Sequence, residues 1–431
     1  MRRGRSAATI AVAVWAALVA GQGIARAEVG LVLPPVSDEA SRGFRFGEFI
    51  LIPELATQGA YTYNMFRQDP REGRSDAGQL VIRPGFRLDN PNPSNFQLTW
   101  DGNAGLNFYF SSDQNAKRLA RFSAGTTMKM EILPKSVFGL FVLDSYLREL
   151  MPRNYSSPAT FDRNFNHAEA GFTVRPGGGA LQISASYAFN LDMFDQFSEG
   201  DVFYHQVRLL TTWDFFPKTT FLIDADWRYT SWRHEIEGLR NNSMPLRAVA
   251  GVKGYVTKKI ALTVKAGYGQ GFYRSGQDVK TFIGEASLGF KFTPYTLLEA
   301  GYDRDFTDSF WARWYIADSA YLKFGQQLWE RLNLELGARY SYVQYASFDP
   351  KSLDPTTTTV PNETDRRDHA LVATASISCS IARWVAVKVG YQMYGIFTKF
   401  QIDSKDTSGK PSVDYGGYVQ HQVFGELSLL Y

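Results

Sequence analysis

The chain has 431 residues, of which 44% are hydrophobic, 15% aromatic and 21% charged, and its mean hydropathy is −0.25. Its one long apolar run, Ala7–Ala20, has 14 residues and is too short to cross a bilayer as a helix, which excludes a polytopic helical membrane protein. The single cysteine, Cys379, excludes an internal disulfide and a multi-thiolate metal site.

The first 27 residues have the features of a secretory signal peptide. Arg2, Arg3 and Arg5 form a basic segment ahead of the apolar run, and Ala25 and Ala27 supply the small residues at positions −3 and −1 of a cleavage site before Glu28. Without this segment the chain carries 42 basic and 43 acidic residues. The mature protein is therefore close to neutral, which argues against nucleic-acid binding.

Along the mature chain, apolar and polar residues alternate strictly in segments of about 10 residues, the pattern of a transmembrane β-strand. In residues 332–342, for example, every even position is apolar or aromatic, whereas the odd positions hold Asn, Glu, Gly, Arg and Ser. Strands of soluble sandwiches average about five or six residues, so these segments are too long for that class. Cys379 falls on the apolar parity of its segment and is expected to face lipid.

Eighteen such segments can be counted, and they predict an all-β fold, a single transmembrane antiparallel up-and-down β-barrel of about 18 strands. They start near residues 48, 78, 95, 119, 137, 165, 180, 202, 219, 245, 260, 279, 296, 315, 331, 369, 384 and 418. The predicted organisation is a signal peptide over 1–27, a short periplasmic segment over 28–47 and an outer-membrane barrel over 48–431.

The connectors between segments fall into two classes that alternate along the chain. Short turns such as 133–135, 216–218 and 257–259 follow the even segments, and mostly longer polar connectors such as 148–164 and 347–368 follow the odd ones. Short periplasmic turns with longer outside loops are typical of outer-membrane barrels. Aromatic residues also gather near both ends of the segments, as expected for two interfacial girdles.

The last segment indicates how the barrel is assembled. Leu427, Leu429 and Tyr431 share one parity, and a terminal aromatic residue with apolar residues at −2 and −4 resembles the signal read by the bacterial barrel-assembly machinery. We therefore expect that machinery as a partner, together with outer-membrane lipid and lipopolysaccharide.

Residues 49–55 (FILIPEL), 61–66 (YTYNMF) and 80–86 (LVIRPGF) resemble the opening strands of a family of outer-membrane β-barrel porins that often accompany exopolysaccharide export. The resemblance implies a terminal pore for a surface polysaccharide, with a periplasmic or inner-membrane polysaccharide co-polymerase as a partner. The chain departs from dedicated lipoprotein exporters because it has no lipid-anchored cysteine.

The polar parity places charges of both signs inside the barrel, and such a set requires a water-filled lumen. The predicted lumen-lining residues are Arg208, Asp224, Asp226, Arg228, Lys265, Glu299, Glu335, Arg339, Lys388 and Glu426. Four tyrosines of the same parity, Tyr204, Tyr255, Tyr321 and Tyr394, offer faces on which sugar rings could stack.

The sequence contains no motif for catalysis, metal or cofactor binding, so none of these sites is predicted. Its five histidines lack metal-ligand spacing, and no nucleophile elbow or nucleotide-binding loop is present. Asp224 and Asp226 share a face and could form a carboxylate pair for acid–base chemistry. Arg228 is the next residue on that face, which favours a salt-bridged lumen wall.

The third outside connector, Arg148–Asn164, is the candidate for an inward-folded gate. It carries Arg148, Glu149, Arg153, Asp162 and Arg163, enough charge for a constriction, whereas the alternative is a solvated loop. The sequence thus favours an outer-membrane pore, with polysaccharide export as the leading hypothesis. A general diffusion porin for small hydrophilic solutes and an outer-membrane hydrolase with its site at the rim are the alternatives.

Overall fold

The computed structural model describes residues 43–67, 75–90, 95–119, 122–149, 162–195, 198–235, 241–310, 312–329, 331–347, 365–405, 411–415 and 417–430. The predicted signal peptide with Ala25 and Ala27, the residue Tyr431 and most of the predicted gate loop lie outside these ranges. Within them, no helix has the length and apolar character needed to span a membrane.

The described chain consists of β-strands with one short α-helix, α1 (Gln114–Arg118), and two short 3-10 helices, Pro176–Gly179 and Ser198–Gly200. The strands are β1 (Phe44–Phe46), β2 (Phe49–Tyr63), β3 (Ala77–Asp89), β4 (Phe96–Phe110), β5 (Phe122–Ile132), β6 (Phe138–Glu149), β7 (Arg163–Val174), β8 (Leu181–Phe194), β9 (Val202–Phe216), β10 (Thr219–Trp232), β11 (Ser243–Tyr255), β12 (Ile260–Tyr273), β13 (Val279–Thr293), β14 (Thr296–Asp308), β15 (Trp314–Leu328), β16 (Leu332–Tyr345), β17 (Arg367–Ala382), β18 (Val385–Thr398), β19 (Gln401–Lys405), β20 (Pro411–Tyr415) and β21 (Tyr418–Leu430).

Eighteen of these strands, β2–β18 and β21, form one closed antiparallel barrel. Each strand pairs with the next along the chain, β21 pairs with β18 past the separate β19–β20 hairpin, and β21 also pairs with β2 from Glu54↔Leu430 to Tyr63↔His421. The predicted fold class and strand number are confirmed, and every predicted start lies within three residues of an observed one. β1 is an additional strand that pairs with β2, so residues 44–46 of the predicted N-terminal segment belong to the sheet.

The two faces of each strand differ in polarity and exposure. On β10, Ile223, Trp227 and Tyr229 are exposed on the outer face, whereas Asp224 and Thr230 are buried on the lumen face. The same division recurs around the barrel, and the outer face exposes Leu, Ile, Val and aromatic side chains. An apolar surface of this extent needs lipid as its solvent, and the barrel is therefore a membrane-spanning one.

The connectors at the two ends of the barrel also differ, as the sequence predicted. Those at one end are tight; between β7 and β8, for example, Gly177 and Gly178 adopt positive φ angles of 63° and 84° that favour glycine. We call this end the short-turn rim, formed by the connectors after β3, β5, β7, β9, β11, β13, β15 and β17. The opposite end, with the longer connectors, is called the outer mouth.

Candidate functional site

The β14–β15 hairpin leaves the barrel wall at its outer end. β13 pairs with β14 only as far as Gly284↔Arg304, although β13 itself continues to Val279 against β12. The remaining end of β14 pairs with β15 alone. We call this part of the hairpin, Asp305–Trp314, the inward tip, because Phe306, Asp308 and Phe310 contact lumen-facing side chains of β9–β13.

The ring of Phe306 shows that the inward tip lies inside the lumen. It is 1% exposed and packs with Val249, Ile283 and Ile316 in an apolar cluster. A Cβ atom added at Gly269, on the lumen face of β12, would stand 2.5 Å from Cε1 of this ring. The ring therefore occupies space that only a glycine on the facing strand leaves free.

Asp308 ties the inward tip to three other strands. Its carboxylate accepts hydrogen bonds from Thr230 Oγ1 at 3.0 Å, Ser243 Oγ at 3.0 Å and Tyr273 Oη at 2.9 Å, from β10, β11 and β12. Asp308 is 2% exposed. Since hydrogen bonds to a buried carboxylate are stronger than neutral ones, these three contacts hold the tip in place. Phe310 extends the contact by packing on Val202 and Trp232.

Arg247 anchors the base of the tip. Its Nε lies 3.1 Å from Asp305 Oδ1, its Nη1 lies 3.7 Å from Asp226 Oδ2, and its guanidinium stands 4.5 Å from the centroid of the Phe306 ring. The side chain of Arg247 is 5% exposed. One buried cation thus bridges two carboxylates, one on β10 and one on the tip.

Two further arginine side chains make close contacts near the outer mouth. Near the β2–β21 seam, Arg67 donates to Gln420 Oε1 at 3.2 Å and lies 5.0 Å from the Tyr394 ring centroid. On the β16–β18 side, Arg366 pairs with Asp368 at 2.7 Å and stacks on Tyr345. At both places an arginine side chain stacks on an aromatic ring.

The predicted lumen-lining residues lie on the face opposite the exposed apolar side chains. On β9–β13 they form close ion pairs: Arg208 is bidentate with Asp224 at 2.8 and 2.7 Å, and Lys265 lies 3.0 Å from Glu285. Arg228, which is 6% exposed, stacks 4.9 Å from the Tyr204 ring. The arrangement of Asp224, Asp226 and the arginines is that of a salt-bridged wall.

The remaining predicted residues lie in a more open sector. Arg339 pairs with Asp303 at 2.9 Å, and Glu299 accepts a hydrogen bond from Tyr321. Lys388 lies opposite Glu426 in the β18–β21 register, and Glu335 is exposed. Solvent therefore reaches Glu335 more freely than the ion-paired Asp224 and Lys265.

Most of the predicted gate loop lies outside the described residues, so the loop stays a prediction, and only its ends can be placed. Arg163 is a residue of β7, buried in an ion pair with Asp192 at 2.6 Å. Arg148 is on the outer face of β6, where it contacts Asn164 and Asp195, so it does not point into the pore. Asp162 is buried, Glu149 ends β6, and Arg153 falls outside the described residues. Alternation along β14 would place Phe306 on the outer face of the barrel. The inward tip was therefore not predicted from the sequence.

The inward tyrosines are largely covered. Arg228 stacks on Tyr204, Arg67 on Tyr394, and both Lys323 and Arg339 on Tyr321. Cationic side chains therefore cover three of the four tyrosines that the sequence predicts as stacking sites for sugar rings.

Each of the five histidines has a hydrogen-bond partner within the described part of the chain. His205, His369 and His421 are on the outer face near the outer mouth, and each shares a hydrogen bond with a tyrosine, Tyr187, Tyr340 and Tyr391 respectively. His167 contacts Asn190 and Glu169. The described residues contain no group of three metal-ligating side chains.

The chain has similarity to solved structures but not to family models or curated sequences. No family model and no curated protein sequence matches the chain. Among solved structures, OccK3 (OpdO) of Pseudomonas aeruginosa is similar at 11% identity, with a TM-score of 0.45 over 88% of this chain and 95% of that one. OccAB3 of Acinetobacter baumannii is similar at 12% identity, with a TM-score of 0.44 over 88% and 99%. The FrpB iron transporter of Neisseria meningitidis is similar at 7% identity, with a TM-score of 0.47 over 88% and 81%.

Proposed function

We propose that the protein is an outer-membrane channel for small hydrophilic solutes, the second hypothesis of the sequence analysis. A closed barrel with an apolar outer face and a charged lumen face supports a water-filled pore across a membrane. Passage is limited by size at the inward tip and by local charge along the lumen wall.

The anchoring of the inward tip is the observation that carries this proposal. Asp308 and Arg247 fix the tip through a set of buried polar contacts. A tip held in this way is a standing constriction, which suits small solutes. A hydrated polysaccharide must pass as a continuous chain and would require the tip to move. Polysaccharide export finds no support in the contacts described above, and neither does a hydrolase at the rim.

Reconstitution into lipid bilayers tests the proposal directly. Purified barrel should give discrete conductance steps in planar bilayers, and vesicles containing it should swell in monosaccharides much faster than in tetrasaccharides. Folded protein, identified by heat-modifiable gel migration, that gives no conductance and no swelling would contradict a channel. Passage independent of solute size would contradict the constriction.

Deletion of the gene separates the channel from an exporter. A strain without the protein should keep its surface polysaccharides and take up small hydrophilic solutes more slowly. Loss of one surface polymer with unchanged solute uptake would support export instead.

A further inference from the structure

The short-turn rim combines cations with exposed apolar side chains in a repeated arrangement. Of the six described large hydrophobic residues that are at least 60% exposed, five lie at this rim: Trp329 at 83%, Val256 at 64%, Val137 at 63%, Phe216 at 61% and Trp384 at 60%. Each has a Lys or Arg within three residues along the chain, namely Lys135, Lys218, Lys258, Lys259, Arg331 and Arg383.

The charge of the short turns is strongly one-sided. Arg175 adds a cation to the turn after β7, whereas Glu330 is the one acidic residue in all these connectors. The connectors of the outer mouth carry acidic and basic residues in nearly equal number. The cations therefore belong to one end of the barrel and are not a general property of its loops.

Several of these cations are available to an external partner. Lys218, Lys258, Lys259 and Arg331 are exposed and take part in no ion pair within the described ranges. The contacts of two of them are long ones to backbone carbonyls, from Lys259 Nζ to Phe292 O at 3.5 Å and from Arg331 Nη1 to Ile381 O at 3.4 Å. Each leaves most of its donors for a ligand.

An apolar ring beside a cation fits one kind of environment, the boundary between acyl chains and phosphate groups. Tryptophan settles at that boundary, and Lys or Arg reaches from it toward the headgroups. A cation near an anionic lipid surface is attracted to it, by about fivefold in affinity per residue. In water, by contrast, the apolar surface of Trp329 and Val256 would remain hydrated, and no contact would offset that unfavourable free energy.

We propose that the short-turn rim is a binding surface for phospholipids with anionic headgroups in the adjacent leaflet. The exposed apolar residues lie among the upper acyl chains, and the cations contact the phosphates. This surface is independent of solute passage, because its residues lie at the turns and not at the constriction.

Titration of detergent-purified protein with phosphatidylglycerol and phosphatidylcholine, followed by native mass spectrometry, tests the proposal. The rim variant carries Lys218→Gln, Lys258→Gln, Lys259→Gln and Arg331→Gln. The matched control removes the same charge at the outer mouth, with Lys117→Gln, Arg233→Gln, Arg274→Gln and Lys399→Gln. Heat-modifiable migration verifies that each variant is folded before lipid is added.

The wild type and the control should retain phosphatidylglycerol in preference to phosphatidylcholine, and the rim variant should lose that preference by at least about tenfold. Replacing Arg331 and Arg383 by Lys should preserve it, since charge is kept. Equal retention of both lipids by the wild type, or equal losses in rim variant and control, would overturn the proposal. Charge-dependent binding to isolated peptidoglycan without a lipid preference would assign the rim to that polymer and would equally overturn it.

Discussion

The phenol of Tyr273, at the end of β12, donates a hydrogen bond of 2.9 Å to the carboxylate of Asp308, at the end of β14. The two strands are not neighbours, because β13 lies between them in the sheet. A contact that skips a strand requires β14 to leave the wall and fold over the lumen. This hydrogen bond is therefore evidence that the end of β14 folds over the lumen and narrows the barrel.

Removal of the Asp308 carboxylate should release the inward tip. Asp308→Ala deletes three hydrogen bonds, each contributing about 1.5–3 kcal/mol when the acceptor is charged. We expect larger single-channel conductance and faster entry of oligosaccharides into vesicles. Asp318→Ala is the control, since Asp318 accepts hydrogen bonds from Arg304 and Tyr302 on the outer face. Equal conductance in both variants would show that the tip does not limit the pore.

A side chain at Gly269 should displace the tip by a different route. Gly269→Val places atoms where the Phe306 ring now lies, and overpacking of this kind costs about 1–3 kcal/mol. The pore should widen, as judged by the largest sugar that still causes vesicle swelling. Gly59→Val is the matched substitution, because a Cβ atom at Gly59 meets nothing within 4 Å. An unchanged size limit at position 269 would contradict the placement of Phe306.

Arg247 should govern both stability and ion preference. Arg247→Met leaves Asp226 and Asp305 without their shared cation, and breaking a buried pair costs about 3–5 kcal/mol. The reversal potential in a KCl gradient should shift toward cation preference. Adding Asp305→Asn should restore part of the lost stability in urea unfolding. Stability losses that simply add in the double variant would argue against the bridge.

The sorting of connectors predicts orientation. A tag inserted within residues 352–364 should be labelled on intact cells, whereas one at Lys258 should react only after the outer membrane is opened. The reason is that the short turns of outer-membrane barrels face the periplasm, whereas the longer loops face the outside. Labelling at Lys258 alone on intact cells would invert the topology.

The last strand should control assembly. Leu429 is on the outer face and pairs with Val385 and Leu55. Leu429 lies near the short-turn rim, where a charge on the lipid face costs about 0–1 kcal/mol, so Leu429→Asp should act by weakening the terminal assembly signal and should leave unfolded protein in the periplasm. Deleting Tyr431 should weaken the same step. Ser428→Asp, on the lumen face, is the control and should assemble. Normal heat-modifiable migration of the Leu429→Asp protein would contradict the prediction.

Alternation along the chain was enough to predict the barrel, because each strand must present one face to lipid and the other to the lumen. The same rule predicts ten charged lumen residues on the face opposite their apolar neighbours. It carries no information about which charges pair, since partners such as Arg247 and Asp305 are on strands that do not adjoin.

The constriction was not predictable from alternation for a related reason. On β14 the pattern continues through Phe306 as if that residue faced lipid, and only the departure of the hairpin from β13 turns it inward. A signal was present on the facing strand. Gly267, Gly269 and Gly271 occupy consecutive lumen positions of β12 and leave a furrow of the kind that an aromatic ring can fill.

The seam between β2 and β21 has a consequence for the order of folding. Every other pair in the barrel joins strands close in sequence, but Glu54 and Leu430 lie almost a chain length apart. Each doubling of a loop costs about 0.6 kcal/mol in closure entropy, so the seam costs only about 4 kcal/mol more than a hairpin with a loop of a few residues. Its contacts are nevertheless the least local in the molecule, and non-local pairing is slow. Closure of the ring is therefore the natural last kinetic step, and until it occurs β2 and β21 both present unpaired edges to other chains.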